Sequence, residues 1–555
     1  MKQLTHEQQA ILAADGDLKI NAVAGSGKTS TLVAYAKSRP AGSKLLYLAF
    51  NRTVREEAVQ RFAQEGMSGV RVETAHSLAY KDVVRSRKLE LTFGYKAYEL
   101  AQVLGIKSKD PEIKYLLATH TQRYLQLYLN SSAQAHTELN YAGSLLDPKA
   151  RSFADRFAQD LLGYTTKALQ LIESGVLPCV HDYYLKLYQL KKPKLRYDYL
   201  LFDEGQDASS VMLDVLLKQS ARKIIVGDVH QQIYGWRQAV NSLQQVPFPA
   251  YTLSNSFRFP EEIASLAKRV LQWKQLLPQA SDPVALTGLG PEKGHIRTRA
   301  TLARSNLFLL DKAIQLLHDH HFERIWFEGN LGAYTFASDG TSIFDVLALF
   351  EHKPERVKDP LLKALGSFEK LEEYLEKAED PELATITEMV RKHGNELPGY
   401  ISALKNMQVP SDQRAQADMI FSTVHRSKGL EYDEVQLTTD FVSEDKIIRA
   451  VADNDKQKVA RLNEEINLLY VAMTRARYNL RLPISLWPSG PVTPVLPDVS
   501  TGMPARRRRA GMYMRSDKNE WDWGHGKMQL EEAYDPYLIE DLERSMRYPE
   551  EVAPP

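Results

Sequence analysis

The stretch AVAGSGKT (22–29) completes a short apolar run, DLKINAVA (17–24), and opens a segment with helical periodicity, TSTLVAYAKS. A strand that delivers a Gly-rich turn into a helix is the setting in which a phosphate-binding loop works. Gly25 and Gly27 let successive backbone N–H groups curl around phosphate oxygens, and the helix N-terminus adds positive potential. In that geometry Ala24, Ser26 and Ser30 complete the cradle, Lys28 reaches the β- and γ-phosphates, and the Thr29 hydroxyl holds Mg²⁺. The usual pattern begins with glycine, and Ala22 departs from it. A second stretch, LLFDEGQD (200–207), decides the reading. Its apolar strand delivers Asp203 and Glu204 together, a carboxylate for Mg²⁺ and a neighbouring base for water. Two further strands are expected at KLLYLAF (44–50) and KIIVG (223–227), with a helix over RTVREEAVQRF between them. Strands alternating with helices predict an α/β fold with a parallel sheet and ligand sites at the carboxyl strand ends.

Composition narrows the class without naming it. The chain has 555 residues, 43% hydrophobic and 25% charged, enough for several domains with large cores. A single cysteine, Cys179, excludes a disulfide framework and a cysteine-based zinc site. Basic and acidic residues number 71 and 70, so any nucleic-acid binding must come from local grooves rather than bulk charge. No apolar run approaches the ~18 residues of a membrane span. The start, MKQLTHEQQAILAADGD, is polar and acidic where a signal peptide is apolar. A cytoplasmic protein with no membrane partner is expected.

The pattern along the chain divides it further. Residues 1–80 and 195–258 read as one α/β domain interrupted by a helical insertion at 81–194. Residues 259–336 and 415–487 read as a second, with a shorter, charged, Pro-punctuated helical insertion at 337–414. From 488 to 555 periodicity fades. Residues 506–527 carry seven basic and three acidic side chains, and residues 528–555 carry two basic and eight acidic ones. This reads as a flexible, charge-segregated tail. Within it, RRRR (506–509) fits either a solvated disordered segment or a contact with DNA phosphate or a partner protein, and WDWGHG (521–526) suggests docking of a protein partner.

With the phosphate loop and acid pair in place, an ordered motif series over about residues 1–485 resembles the UvrD/Rep-type superfamily 1 DNA helicases. LTHEQ (4–8) is similar to the family's Q motif, which implies that Gln8 reads adenine. LAFN (48–51) and TAHS (74–77) resemble single-strand-contacting motifs, implying DNA contacts for Phe50, Asn51 and His76. GDVHQQIYGWR (227–237) resembles the motif in which Gln231 senses the γ-phosphate and Tyr234, Trp236 and Arg237 face DNA. NSFR (255–258) implies that Phe257 stacks on adenine and Arg258 touches the γ-phosphate. TVHRSKGLEYDEV (423–435) implies a DNA contact for His425 and a ribose contact for Glu431. LLYVAMTRAR (468–477) implies that Arg475 is the arginine finger, a group that contributes ~10³–10⁵ in rate in related NTPases. LYLAFN, HDYYLKLYQLKKP (181–193) and DVHQQIYGWRQAVNSL are closer to the F-box DNA helicase branch, although no F-box is expected ahead of LTHEQ.

The resemblance implies two RecA-like P-loop domains that close on ATP and Mg²⁺, and 3′→5′ travel on single-stranded DNA that separates tailed duplexes. It also leaves open a translocase that strips proteins from single strands, or a nucleotide-switched DNA-binding subunit of a larger complex. The run YYLKLYQLKKPKLRYDY (183–199) interleaves five basic residues with five tyrosines. It fits either a DNA-lining surface or an amphipathic helix and connector.

Overall fold

The computed structural model describes residues 4–488 other than 88, 93, 96, 110, 146–147, 236–240, 279–283, 320, 337–340, 379–380 and 454–455. The tail from 489 onward, with its RRRR and WDWGHG segments, lies outside the described residues, as do Trp236 and Arg237. The chain forms two compact units: Met1–Ser256 with Asp453–Asn467, and Phe257–Ala452 with the chain from Leu468 onward.

The first unit is built on strands β1 (Leu18–Ala22), β2 (Leu45–Ala49), β3 (Arg71–Thr74), β4 (Tyr199–Phe202), β5 (Arg222–Gly227) and β6 (Ala250–Leu253). They form one wholly parallel sheet in the order β3-β2-β4-β5-β1-β6. Tyr47 and Leu201 join Ile11, Tyr35 and Phe62 in the core on one face. Leu46, Leu48, Leu200 and Phe202 join Leu213 and Ile225 on the other. A strand buried on both faces needs uninterrupted apolar residues, which is why these segments do not alternate. Helices α1 (His6–Ala13), α2 (Lys28–Lys37) and α3 (Arg52–Gln64) pack against one face of the sheet. The expected strand over 17–24 ends at Ala22, because Val23 and Ala24 already belong to the turn.

The segment between β3 and β4 is mostly helical, with long helices α4 (Pro111–Asn130), α5 (Ala158–Glu173) and α6 (His181–Leu190). It also contains a two-residue parallel ladder, Leu91–Thr92 against Cys179–Val180. Its apolar side chains form a cluster separate from those of the sheet. In α6, Tyr183, Tyr184, Tyr188 and Lys186 are all at least 94% buried, so this half of the tyrosine-rich run is packing. Lys186 reaches the Ser131 carbonyl at 2.9 Å and lies 4.5 Å from the Tyr128 ring centre. The exposed residues of the run are Lys191, Lys192, Lys194, Arg196 and Asp198, all beyond α6.

The second unit has strands β7 (Arg299–Ala303), β8 (Ile325–Phe327), β9 (Met419–Thr423), β10 (Tyr432–Leu437) and β11 (Ala476–Arg481). Their order is β8-β9-β7-β10-β11, again wholly parallel. Its helical insertion shares the sheet's core: Ile386, Ile401 and Leu404 cluster with Phe327, Phe421 and with Leu309 and Ile314 of α7 (Asn306–His318). The last long helix, α8, runs from Lys456 to Met473. Residues 453–467, expected within the second domain, group instead with the first unit. There the Glu464 carboxylate accepts the Gly235 N–H at 3.1 Å, and the Asn467 amide donates to the Gln232 carbonyl at 2.9 Å. Among the described residues no helix is long and apolar enough to cross a membrane.

Candidate active site

At the carboxyl end of β1 the chain turns through Gly25 (φ +73°) and Gly27 (φ +79°), left-handed conformations that only glycine adopts without strain. Gly27 caps α2 with its own carbonyl, which accepts the Thr31 N–H at 2.8 Å and the Thr31 hydroxyl at 2.9 Å. Ala22 needs no such backbone: it is the last residue of β1, buried in the sheet, so alanine fits where the usual pattern has glycine. Ala24 and Ser26 are buried in the turn, and the Ser26 hydroxyl has no hydrogen-bond partner. Ser30 is exposed on α2, where its hydroxyl accepts from Arg61 of α3 at 3.3 Å.

The acid pair arrives from β4. Thr29 Oγ1 donates to Asp203 Oδ2 at 3.2 Å, and the buried Tyr47 hydroxyl donates to the same oxygen at 2.5 Å. Lys28 Nζ lies 2.7 Å from Glu204 Oε1. Glu204 itself has φ +55°, a conformation that costs about 1–3 kcal/mol outside glycine and clusters at functional sites. Burial raises the Asp203 carboxyl above its ordinary range, the Glu204 charge adds to this, and Lys28 and Tyr47 oppose it. Burial alone would lower the Lys28 amine, but Glu204, Asp203 and Asp228 together hold it raised, so it stays a cation. A hydroxyl and a carboxylate oxygen 3.2 Å apart, beside a glycine cradle with an orphaned buried hydroxyl, are the hard donors that Mg²⁺ and a triphosphate require.

Behind the acid pair stands a relay of side chains. The Gln206 amide donates to Glu204 Oε2 at 2.5 Å, and its oxygen accepts the Asp228 N–H at 3.1 Å. Gln231 Nε2 donates to Asp228 Oδ2 at 2.9 Å, which links Gln231 back to Glu204. Sequence reasoning missed three members of this cluster. Asp228 ends the apolar strand KIIVG in the way Asp203 ends its own, so the same strand-end rule finds it. Gln206 lies inside the quoted acid motif but carries no charge to mark it. Nothing local marks Tyr47, whose hydroxyl meets Asp203 only because β2 and β4 are neighbours.

Gln8 is buried on α1. Its oxygen accepts the Thr5 N–H at 3.1 Å in a capping box, and its amide donates to Thr31 at 3.1 Å, so the Q-motif helix is tied to the phosphate-loop helix. Its neighbour Glu7 accepts from the Thr252 hydroxyl and from the Ser254 N–H and hydroxyl, holding the exit of β6.

Of the DNA-motif residues of the first unit, two are brought into contact. Phe50 and Tyr234 stack with ring centres 5.5 Å apart and planes 23° from parallel. Asn51 caps α3, its side-chain oxygen accepting the Val54 N–H at 2.9 Å. His76 lies 3.6 Å from Asp182 and edge-on to Tyr184, at the junction of β3 with the helical insertion.

The second unit gathers its own set. Arg258 donates from Nε to Glu431 at 2.8 Å and from Nη1 to the Thr474 carbonyl at 2.7 Å. Phe257 beside it is 43% exposed, ample for a stacking partner. Arg475 differs from the picture of a presented finger. It is fully buried, with Nε on the Val471 carbonyl at 3.0 Å and Nη1 on the Leu430 carbonyl at 3.4 Å. His425 is half-buried on the short helix Val424–Ser427.

A phosphate loop off an inner strand of a parallel sheet, with an acid pair at a second strand end and polar groups relayed from a third, defines a P-loop nucleotide-binding protein of the RecA-like class. Residues 4–245 match the model of the UvrD/REP helicase N-terminal domain. The chain is 31% identical over 518 residues to F-box DNA helicase 1 of Gallus gallus, a match covering 87% of this chain and 49% of the relative. It is 30% identical over 529 residues to F-box DNA helicase protein 1 of Schizosaccharomyces pombe, covering 87% and 57%. It is 25% identical over 292 residues to DNA helicase II of Escherichia coli, covering 48% and 40%. The chain thus spans about half the length of the curated relatives it matches. A solved structure of the PRRSV helicase aligns over 86% of this chain and 53% of its own at a TM-score of 0.28 and 10% identity, too weak a likeness to carry an argument.

Proposed function

We propose that this protein is an ATP-dependent DNA helicase that moves 3′→5′ on single-stranded DNA and separates tailed duplexes. The observation that carries the reading is the cluster of Lys28, Thr29, Asp203 and Glu204 at one strand edge, relayed through Gln206 and Asp228 to Gln231. In it Lys28 and the loop amides bind phosphate oxygens, and Thr29 and Asp203 hold Mg²⁺, which neutralises phosphate charge when bound. Glu204 orients the attacking water and takes its proton, and Gln231 reports the γ-phosphate to the DNA-facing loop that follows it. Gln8 and Phe257 receive the adenine and Glu431 the ribose. Arg258 and Arg475 act on the γ-phosphate by exchanging the hydrogen bonds they make to Glu431, Thr474, Val471 and Leu430. Phe50, Asn51, His76, Tyr234, Trp236, Arg237 and His425 contact single-stranded DNA. Bases extending the Phe50–Tyr234 stack are gripped without regard to sequence. The tail is assigned a protein partner.

The test is ATP-dependent strand separation on 3′-tailed and 5′-tailed duplexes, with Glu204→Gln as the inactive control. Separation of the 3′-tailed substrate alone, lost in the variant, is the expected result. DNA-stimulated hydrolysis without separation would point instead to a protein-stripping translocase, and absence of hydrolysis to a nucleotide-switched subunit.

A further inference from the structure

At the carboxyl ends of β8 and β9, adjacent strands of the second sheet, one arginine is seated unlike its neighbours. Arg426, on the short helix after β9, is exposed, and its Nη1 donates to the Glu328 carbonyl at 3.2 Å. Its guanidinium lies 4.9 Å from the ring centre of the fully buried Tyr334, whose hydroxyl holds the same carbonyl at 2.7 Å. Gly329 forms the floor of this seat. It has φ +88°, and a Cβ there would stand 1.9 Å from Arg426 Nη1, so the close approach and the backbone both require glycine.

The seat holds the arginine without neutralising it. The nearby Glu328 carboxylate is occupied: one oxygen accepts Arg414 Nε at 2.9 Å and the Tyr432 hydroxyl at 3.2 Å, the other Trp326 Nε1 at 3.1 Å. Among the described residues Arg426 has no carboxylate partner. A guanidinium offers five N–H groups in a planar fork, and here one is taken by protein. The side chain is exposed, next to His425 in sequence, at the strand ends where parallel sheets place their ligands.

We infer that Arg426 is a preorganised phosphate-binding residue that clamps a phosphodiester of single-stranded DNA, an inference that rests on the DNA-translocating function proposed above. A flexible surface arginine loses rotamer freedom on binding, whereas this one is already ordered by the Tyr334 ring and the Gly329 floor.

The experiment measures the affinity of labelled oligothymidylate for the full-length protein across a salt series. Compared proteins are wild type, Arg426→Ala, Arg426→Lys, Gly329→Ala and the Gly329→Ala/Arg426→Ala double variant. Loss of one phosphate contact on a single strand flattens the slope of log K against log salt by about 0.7. Arg426→Ala is expected to show that flattening, Arg426→Lys to keep the slope, and the double variant to bind no more weakly than Arg426→Ala. A wild-type slope in Arg426→Ala overturns the inference, as does an additive loss in the double variant. A changed ATP requirement at saturating DNA with an unchanged DNA slope would assign the arginine to nucleotide phosphate instead and likewise overturns it. Failure of the wild type to bind the oligonucleotide would overturn the proposed function itself.

Discussion

Lys28 Nζ and Glu204 Oε1 lie 2.7 Å apart, so the ammonium and the carboxylate satisfy each other. In the function proposed above, the γ-phosphate would compete with Glu204 for Lys28, and the released carboxylate would be the base for water. Removing the negative charge by Glu204→Gln therefore has two opposite effects. Nucleotide affinity rises, because Lys28 loses its internal competitor, while turnover falls by about 10²–10⁴-fold with the loss of the base. Fluorescent-nucleotide titration and phosphate release on the same variant check both signs. Equal or weaker nucleotide binding would show that Glu204 does not gate Lys28. These residues were legible because the phosphate loop is contiguous and the acid pair ends an apolar strand. Tyr47 was not, since a tyrosine inside a buried strand looks like core until the neighbouring strand brings Asp203 to its hydroxyl.

The residues proposed to contact DNA sit at the ends of elements. Phe50 follows β2 and Tyr234 lies on the loop after β5, and their rings meet in a stack although neither strand pairs with the other. Base stacking on an aromatic contributes about 1–3 kcal/mol, so Phe50→Ala is expected to weaken single-stranded DNA binding by roughly 5- to 150-fold. Because each ring supports the other, the Phe50→Ala/Tyr234→Ala double variant should lose less than the sum of the single losses. Anisotropy titration of the three variants measures the coupling, and strict additivity would mean that the rings bind independently. The tyrosine-rich helix α6 shows the limit of composition. Its basic and aromatic residues fit a DNA-lining surface as well as an amphipathic helix, and at helical spacing Tyr184 and Tyr188 share a face and enter the insertion's core with Tyr183 and Lys186.

Across the whole molecule the two insertions are bound differently to their sheets. The first has its own core; the second shares one with the strands. The first also holds three histidines whose basicity is lowered by burial: His136, His181 and His120, the last brought down to about 4, with Arg123 adding to the effect. His120 is 3% exposed, with Nδ1 2.7 Å from the Tyr141 hydroxyl and its ring stacked on Phe153. An unfolded histidine takes up a proton below about 6.5, whereas the folded His120 stays neutral until about 4. Protons therefore favour the unfolded insertion, and its stability is lost as pH falls through that window. Hydrogen exchange at stepped pH should show this insertion opening before the sheets, with a shallower pH dependence in His120→Gln. Simultaneous opening of all three would sink the prediction.

The sequence by itself determined the phosphate loop, the acid pair, the parallel α/β class and the order of the family motifs. Each is written in consecutive residues, whose spacing and apolar runs report local geometry directly. Only the tertiary structure decided that Arg258 meets Glu431 across 173 positions, that Arg475 is buried on its own helix end, and that Gln206 and Asp228 join Glu204 to Gln231. It also decided that Gly329 and Tyr334 seat Arg426. Those contacts arise from which strand ends become neighbours in a sheet. Strand order follows from how the helices cover both faces, and no local pattern in the chain encodes it.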